Sequence, residues 1–401
     1  PYKENEAGRR YILPPADAVV DPRQEGCEYP FKGLCGAAVA YKLVEALCEA
    51  NGQDVADLDY LLENVAIATV ADVMDLTEEN RILVKQGLEM LKRTSNLGLR
   101  ALIQCIGLEG KKIQAYHIGF ILAPCLNASG KLDTAKRALA LLRAKTEREA
   151  DMLAGDLKAL NESRRDMTDR VVDEAMAKVE RTDIRGDKVL VIYLPDCHES
   201  LAGLVAGRVR ENYYRPVFVL TDSEDGVKGS GRSIESYSMY EELTGCGDLL
   251  TKFGGHPMAA GLSLDKENVE KFKRRLNDQC TLSEEELTEK VVIDMELPFA
   301  AITEHFIEEL EYMEPFGKGN TKPARGVVMQ HVKIIGKNKN VAKATAIDAA
   351  GNRMEAICFH DAQEFAKQCE RNNGKMSITF YPGINEFRGE RQIQIVITHY
   401  R

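Results

Sequence analysis

Apolar residues follow a helical spacing over most of the first 140 positions. They recur every three or four residues over 37–50, 80–93 and 98–106, which predicts amphipathic helices there. The run 65–71 is almost wholly apolar and ends at Asp72. A carboxylate at the end of a buried run must be capped, paired or metal-bound. Asp72 is therefore either a helix N-cap or ion-paired residue, or a candidate metal ligand.

A long amphipathic segment follows, from residue 134 to about residue 180. Its apolar positions recur at spacings of three, four or seven residues, with charged residues between them. This spacing predicts one long helix, or two with a bend, connecting two domains. A self-associating coiled coil is the alternative, but the apolar seam is short and Arg164 interrupts it.

Two continuous apolar runs, 188–194 and 216–221, enclose a helical segment at 200–212. Such runs are typical of strands buried on both faces, and the strand–helix–strand order predicts a parallel or mixed sheet. His198 follows the first strand, where the loops of α/β units meet ligands. It is also well placed to be a surface residue at the start of the helix.

After the acidic segment 283–286 the pattern changes to short strands. Strands are predicted at 291–295, 326–335, 342–348, 353–359, 376–381 and 392–398, with helices at 303–313 and 362–370. This order is typical of an OB-type β-barrel, which binds single-stranded nucleic acid in a basic groove. The alternative is that the basic residues protect exposed strand edges. The candidate groove residues are Lys333, Lys337, Lys339, Lys343, Phe387, Arg388 and Arg391.

Composition restricts the class of protein. A net charge of −10 excludes a surface coated in basic residues, so nucleic acid would need a local basic groove. The ten cysteines lie in apolar segments without a CxxC pair, which indicates buried free thiols in a reducing compartment. No segment resembles a membrane span, and we expect a cytoplasmic protein. The chain begins at Pro1 without an initiator Met, from which we expect a fragment.

Two glycine-rich stretches lie within the segment 228–261. The first is Gly229-Ser230-Gly231-Arg232-Ser233, and the second is Phe253-Gly254-Gly255-His256 followed by small residues. Glycine-rich turns with their own polar side chains bring backbone N–H groups close to a phosphate. The pair therefore predicts a phosphate-binding site, and two plain surface turns are the alternative.

The segment 123–132 contains Pro124 and Gly130 and is predicted to be a turn. Its polar residues Asn127, Ser129 and Lys131 are candidates to line a cleft, and a helix-breaking loop without function is the alternative.

These motifs together resemble the RecJ family of single-strand-specific 5′→3′ exonucleases, within the DHH phosphoesterase superfamily. Residues 230–234 and 253–261 resemble the signature of the DHH-associated domain, DHHA1. Residues 68–73 resemble the last acidic motif of the DHH catalytic domain. Further similar segments are 29–36 and 126–132, within the DHH domain, and 315–320, at the start of the family's OB domain.

The resemblance implies a multi-domain α/β fold. The expected domains are the C-terminal part of a DHH domain (1–142), a connecting helix (143–183), a DHHA1 substrate-binding domain with a mixed sheet (184–276) and an OB-type β-barrel (287–401).

The resemblance also implies two-metal hydrolysis of single-stranded DNA, with release of mononucleotides, in DNA recombination and repair. Two Mn²⁺ or Mg²⁺ ions would activate water, with Asp72 as one ligand, and His256 would donate to a phosphate. The Asp-His-His triplet does not occur in this chain, and the family's Asp-x-Asp motif is expected to lie before Pro1, so we expect the isolated chain to be inactive. The residues expected to hold the phosphate at the 5′ end are Ser230, Gly231, Arg232, Ser233, Gly254, Gly255 and Asn127.

The implied partners are single-stranded DNA, a single-stranded-DNA-binding protein and a helicase, with no membrane association and a monomeric state. Two other functions remain open from the sequence. One is a non-catalytic module that binds single strands or phosphate, and the other is a DHH phosphodiesterase acting on short oligonucleotides.

Overall fold

The computed structural model of the chain describes residues 2–5, 8–11, 13–132, 135–294, 296–320, 328–335, 340–359, 361–387 and 390–400. The chain divides into two compact units, each assembled from several segments. The first contains Pro1–Asn96, Leu108–Ala123 and Val292–Arg401, and the second contains Leu97–Gly107 and Pro124–Val291. The C-terminal segment therefore packs together with the N-terminal helices in one unit.

The N-terminal part is mainly helical. Its elements are β1 (Tyr2–Asn5), β2 (Gly8–Tyr11), α1 (Gly36–Ala50), α2 (Leu62–Ala71), α3 (Glu78–Leu91), α4 (Leu97–Cys105), α5 (Ala115–His117), α6 (Ala123–Leu132) and α7 (Lys136–Leu142). Helices α2 and α3 pack closely because Gly87 has no side chain. A Cβ there would lie 2.3 Å from the Leu62 carbonyl oxygen. The helices predicted at 37–50, 80–93 and 98–106 are confirmed.

The turn predicted at 123–132 is wrong, because α6 occupies the whole segment. Pro124 removes one helical N–H donor and usually ends a helix. Here a π-helical turn at Ile118–Leu122 precedes the proline and changes the local hydrogen-bond register. The helical segment therefore continues past Pro124, although proline normally ends a helix.

Helix α8 (Glu147–Arg181) is the long helix that the spacing predicts, and α7 is a separate, shorter helix before it. The Thr146 hydroxyl accepts a hydrogen bond from the Glu149 N–H at 3.2 Å and caps the helix. Acidic residues in the first turn and basic residues in the last turn interact favourably with the helix dipole. The helix thus begins and ends at residues that stabilise its termini.

The second unit contains a five-stranded mixed sheet, as predicted. Its strand order is β3-β4-β5-β7-β6, with β3 and β4 parallel and the remaining pairs antiparallel. The elements are β3 (Leu190–Tyr193), α9 (Glu199–Tyr213), β4 (Val217–Ser223), β5 (Gly226–Arg232), α10 (Met239–Thr244), β6 (Leu250–His256), β7 (Ala259–Leu264) and α11 (Val269–Gln279).

Each face of this sheet has its own covering. On one face Phe218 and Leu262 pack with Phe272 and Leu276 of α11. On the other face α9 lies over β4 and β5. The outer strand β6 on the α9 face is exposed to solvent. This uncovered strip of sheet is where a ligand can approach the backbone.

The C-terminal part contains α12 (Glu304–Glu311), β8 (Val328–Ile335), β9 (Val341–Ile347), β10 (Arg353–Cys358), α13 (Ala362–Arg371), β11 (Ile378–Phe387) and β12 (Glu390–Tyr400). The strand order is β11-β12-β10-β9-β8, with β10 and β12 parallel. Within the described residues β11 and β8 are edges, so the sheet is open and not the closed barrel predicted. Residues 291–294 form no strand, and Met295 lies outside the described residues.

None of the ten cysteines, all of them described by the structure, forms a disulfide, and seven of them are buried, as the composition predicts. Burial raises the pKa of the Cys197 thiol to about 11, which keeps it protonated and unreactive near neutral pH. Among the residues that the structure describes, no helix is long and apolar enough to cross a membrane.

Candidate functional site

The first glycine-rich stretch is a strand and not the predicted turn. Residues 229–232 belong to β5, between β4 and β7. Gly229 and Gly231 face the α11 side, where a Cβ would lie 2.4 Å from Leu220 Cδ2 and 2.6 Å from Met239 Sδ respectively. These two glycines therefore permit close packing in the core and do not contact a ligand on the opposite face.

The second stretch forms the edge strand β6, which a two-residue turn at Pro257 and Met258 joins to β7. Gly255 has φ +152°, and a Cβ there would lie 2.4 Å from the Ala259 carbonyl oxygen. The hairpin itself therefore requires glycine at position 255. An edge strand leaves alternate backbone N–H and C=O groups unpaired with protein, so β6 offers donors to a ligand.

Cross-strand pairing places the polar residues of both stretches in three rows on the α9 face. Because side chains two residues apart point to the same face, each row crosses β5, β7 and β6. The rows are Arg232–Ala259–His256, Ser230–Gly261–Gly254 and Lys228–Ser263–Lys252. We name the surface formed by these rows the glycine groove.

The floor of the glycine groove is open backbone. A Cβ on Gly254 would meet no atom within 4 Å, and one on Gly261 would reach only the Gly229 carbonyl oxygen at 3.9 Å. The Lys228 and Ser230 rows of the groove and the start of α9 line a cavity of about 510 Å³, and neither Arg232 nor His256 is among its lining residues. That volume is within the range of small-ligand sites. A ligand can therefore lie directly against the main chain.

Arg232 provides a preorganised positive charge at one end of the groove. Its Nη1 donates to the Gly231 carbonyl oxygen at 2.8 Å, and its guanidinium lies against Gly203 of α9, where a Cβ would be 2.8 Å from Nη2. Burial lowers the pKa of the guanidinium, and the neighbouring Arg210 lowers it further. Within the described part of the chain no carboxylate pairs with Arg232, so an anion would satisfy it.

The other end of the groove carries a neutralised cation. Lys228 Nζ lies 2.7 Å from Glu199 Oε2 at the start of α9. The hydrogen bond between them raises the pKa of Lys228 and lowers the pKa of Glu199. A carboxylate at this end repels phosphate. Lys252 lies exposed in the same row as Lys228, so this end still carries one positive charge beside the Glu199 carboxylate. The Arg232 end combines the guanidinium with the exposed His256 in the same row, and no described carboxylate pairs with Arg232, which favours an anion there.

Two predicted contact residues are not positioned to bind a ligand. Ser233 is 1% exposed, and its hydroxyl donates to the Tyr237 carbonyl oxygen at 2.5 Å, so it stabilises the turn after β5. Gly231 faces the core, as described above. The residues that the groove brings together are Ser230, Arg232, Gly254 and His256.

Sequence reasoning missed the contribution of α9. Gly203 makes room for the Arg232 guanidinium, and Glu199 neutralises Lys228. The small residues along one face of the helix at 200–212 were the available signal for a close approach. His198 is the N-cap of α9, and its Nδ1 accepts from the Ser200 N–H at 3.2 Å. His198 is therefore a surface residue at the start of the helix, which is one of the two interpretations of its sequence position.

Asp72 ends α2 and does not begin a helix, so the N-cap interpretation is wrong. The chain turns here in a Schellman motif: the Val73 N–H donates to the Val70 carbonyl at 3.1 Å, and the Met74 N–H donates to the Thr69 carbonyl at 3.1 Å. Val73 has φ +54°, in the left-handed region that this motif normally fills with glycine. The corner therefore stores backbone strain beside Asp72.

The Asp72 carboxylate is exposed, and no described residue pairs with it. A helix C-terminus carries partial negative charge, which disfavours a carboxylate there and favours a cation. Local stability therefore does not explain Asp72, whereas a cation held at this corner would. No group of three or more His, Cys, Asp or Glu side chains suited to a metal ion occurs among the described residues.

Replacing Val73 with glycine should stabilise the corner. The left-handed conformation costs a β-branched residue about 1–2 kcal/mol, which glycine avoids at a smaller entropic cost. We expect Val73→Gly to raise the free energy of unfolding by about 0.5–1 kcal/mol in denaturant titrations. Val20 is also exposed and lacks a positive φ, so Val20→Gly is the control. Equal destabilisation by both substitutions would contradict the strain assignment.

The remaining candidates lie on α6 and in the C-terminal part. Asn127 is exposed on α6, and the side chains of Ser129 and Lys131 lie outside the described residues. Lys343 Nζ lies 2.5 Å from Glu355, and Arg391 pairs with Glu304 and Glu308, so both charges are balanced. Lys337, Lys339 and Arg388, and the side chains of Lys333 and Phe387, lie outside the described residues.

Two protein-family models match the second half of the chain. A family model described as the DHHA1 domain matches residues 186–282, which contain the glycine groove. A second model, described as the RecJ OB domain, matches residues 293–399.

Curated relatives match along nearly the whole chain. The single-stranded-DNA-specific exonuclease RecJ of Bacillus subtilis is 36% identical over 96% of this chain and 49% of its own length. RecJ of Salmonella typhimurium is 33% identical over 96% of this chain and 70% of its own length. The chain thus spans about half of the first of these relatives.

A solved structure also matches. The crystal structure of RecJ in complex with Mg²⁺ from Thermus thermophilus aligns with a TM-score of 0.77 and 26% identity, covering 93% of this chain and 57% of that one. A second structure of the same protein in complex with Mn²⁺ aligns with the same TM-score of 0.77. Because the Salmonella relative is 33% identical and 70% covered, the chain belongs to the RecJ family of single-stranded-DNA-specific exonucleases.

Proposed function

We propose that this chain holds single-stranded DNA by its 5′ phosphate for 5′→3′ exonucleolytic release of mononucleotides, in DNA recombination and repair. Family membership supports the substrate and the reaction. The observation that carries the proposal is the Arg232 guanidinium beside the open floor of the glycine groove, with which no described carboxylate pairs.

The charge distribution of the groove supports binding of a terminal phosphate. A phosphomonoester carries a charge of about −1.5 to −2 near neutral pH, more than the single charge of an internal phosphodiester. Arg232 offers the forked donors that suit phosphate oxygens, and Ser230 and His256 lie beside it as further donors. The end of the strand therefore gains more from this position than its interior does. A 3′ phosphate would carry the same charge, so the 5′→3′ polarity of the proposal rests on membership of the family.

Divalent cations belong to the proposal because the related Thermus structures contain Mg²⁺ and Mn²⁺. Two such ions would activate water and neutralise charge on the scissile phosphodiester. Asp72 is the residue of this chain that would contribute a carboxylate ligand. The described residues do not by themselves fit a complete ion site, since no group of three suitable side chains occurs among them. We therefore derive no chemical step through the ions from these residues.

The C-terminal sheet is proposed to hold the incoming strand by contacts that tolerate any sequence. Its candidate residues remain Lys337, Lys339, Phe387 and Arg388, with Lys343 available only if its pair with Glu355 opens. We also propose that the protein is a cytoplasmic monomer and that it acts together with a single-stranded-DNA-binding protein and a helicase. Asn127 and the Gly255 main chain remain proposed strand contacts.

Affinity for two otherwise identical strands tests the proposal. We expect 5′-phosphorylated oligodeoxythymidine to bind about tenfold more tightly than the same strand with a 5′ hydroxyl, since charge-assisted hydrogen bonds to Arg232 are lost with the phosphate. Fluorescence anisotropy with a 3′ label measures both affinities. A 3′-phosphorylated strand is the control for added charge. Equal affinity for all three strands would contradict the terminal-phosphate site.

A further inference from the structure

The loop that follows Asp72 is held by a turn from the C-terminal part of the same unit. We name residues 72–77 the Asp72 loop and residues 314–320 the docking turn. The Leu76 N–H donates to the Lys318 carbonyl oxygen at 2.7 Å. Lys318 Nζ in turn lies 3.0 Å from Asp75 Oδ1. One residue of the turn therefore contacts the loop through both its backbone and its side chain.

Two glycines let the docking turn approach this closely. A Cβ on Gly317 would lie 2.7 Å from Leu76 Cδ1, and Leu76 is 2% exposed, so it has little room to move. Gly319 has φ +74°, and a Cβ there would lie 3.2 Å from Asp75 Cβ and 3.3 Å from Thr77 Cγ2. The glycines of the turn thus fit the surface of the Asp72 loop.

The docking turn is itself rigid. Gly317 and Asn320 exchange two backbone hydrogen bonds, at 2.8 and 3.1 Å. The Asn320 side chain donates to the carbonyl oxygens of Met313 and Pro315. A turn with this many internal bonds can transmit a fixed position to the loop that it contacts.

Further contacts attach the segment before the turn to the N-terminal helices. Arg81 Nη2 donates to the Tyr312 carbonyl oxygen at 3.0 Å. Lys112 Nζ lies 3.1 Å from the Glu314 carboxylate, which also accepts from Gln114 Nε2 at 2.7 Å. The turn is therefore also held by residues outside the Asp72 loop and does not depend on one exposed ion pair.

The opposite side of the loop is fixed from within the N-terminal part. Asn80 is fully buried, and its Nδ2 donates to the carbonyl oxygens of Asp75 and Gly33 at 3.0 and 2.8 Å. Both Asn80 and the docking turn therefore hold the Asp72 loop. A strained residue such as Val73 persists only where its surroundings fix the conformation, and these contacts do so.

We infer that Gly317, Lys318 and Gly319 are positioning residues for Asp72. The inference rests on the proposed function, in which Asp72 contributes a carboxylate to hydrolysis of the strand. In this view the C-terminal domain supports the carboxylate that takes part in hydrolysis, in addition to any contact it makes with DNA. Disturbing the docking turn should lower turnover without weakening strand binding, because the groove residues are untouched.

A matched pair of glycine substitutions tests the inference in the full-length protein. Gly319→Ala and Gly351→Ala both place alanine at a positive φ in the C-terminal domain, but only the first adds a methyl group against Asp75. A displacement of about 1 Å can cost up to 100-fold in rate. We expect Gly319→Ala to lower kcat about 10-fold or more, with KM for 5′-phosphorylated single strands changed less than about twofold. Gly351→Ala should leave both unchanged.

Hydrogen exchange provides a readout that needs no turnover. Gly319→Ala should speed amide exchange in peptides covering residues 72–77 by roughly tenfold, because the Leu76 N–H loses its acceptor. Lys318→Ala should act in the same direction and Lys318→Arg should restore kcat, with Lys367→Ala as the control for a surface lysine. If Gly319→Ala matches Gly351→Ala in both exchange and kcat, the inference is overturned. An inactive unsubstituted protein would contradict the proposed function, while the exchange comparison would still decide whether the turn holds the loop.

Discussion

Replacing Arg232 with alanine is expected to weaken binding of 5′-phosphorylated single-stranded DNA by about 10- to 100-fold. A hydrogen bond to a charged partner contributes about 1.5–3 kcal/mol, and about 1.4 kcal/mol corresponds to a factor of ten in affinity. Arg232 is half-buried and already oriented by its bond to the Gly231 carbonyl, so little ordering is needed when the phosphate binds. The measurement is anisotropy with labelled oligodeoxythymidine at fixed salt.

Arg274 offers a matched control on the opposite side of the sheet. It is exposed on α11, which packs on the face away from the groove. Arg274→Ala removes the same charge from the same domain and should change affinity less than about twofold, since exposed charges act weakly at a distance. For a 5′-hydroxyl strand Arg232→Ala should also have little effect. If the two substitutions weaken the phosphorylated strand equally, Arg232 contributes only general charge and the specific site is wrong.

Local pattern predicted the elements of the second unit well, but not the conformation of its functional stretch. The continuous apolar runs around α9 specify buried strands on their own. The glycines at 229, 231, 254 and 255 were predicted as turns because glycine is the usual turn residue. In the structure Gly229 and Gly231 instead make room for the side chains of Leu220 and Met239, which come from neighbouring elements. Only the sheet register reveals that requirement.

The polar environment of Arg232 was likewise beyond sequence reasoning. Gly203 of α9 makes room for its guanidinium, and Glu199 of α9 neutralises Lys228 at the other end of the groove. Both residues are about 30 positions from the motif that they modify. Charge type can be read from a motif, whereas the pairing of each charge is a property of the packed structure.

Two further differences between the predictions from sequence and the structure have simple physical causes. Helix α2 is apolar on nearly all sides because it is buried, so its pattern does not indicate which end Asp72 occupies. In the C-terminal domain, alternation of apolar and polar positions specifies strands, but it is the same for an open sheet and for a barrel. The order β11-β12-β10-β9-β8 therefore required the structure.

Replacing Asp72 with asparagine is expected to separate hydrolysis from binding. Asparagine keeps the size of the side chain but removes the negative charge that a hard divalent cation prefers in its ligands. Losing several kcal/mol of electrostatic stabilisation would lower turnover by about 100-fold or more. Affinity for 5′-phosphorylated single strands should change less than about twofold, because Arg232 and the glycine groove are unaltered.

The Asp72→Asn experiment, made in the full-length protein, requires mononucleotide release under single-turnover conditions together with equilibrium binding of the same strand. Asp57 lies exposed in the first turn of the 3₁₀ helix Val55–Leu61, so Asp57→Asn removes an equivalent charge nearby without touching the Asp72 loop. Arg232→Ala should mainly weaken binding, and Asp72→Asn should mainly slow release. Equal release rates for the Asp72 and Asp57 variants would remove Asp72 from the reaction. The exposed carboxylate at the end of α2 would then have no functional explanation.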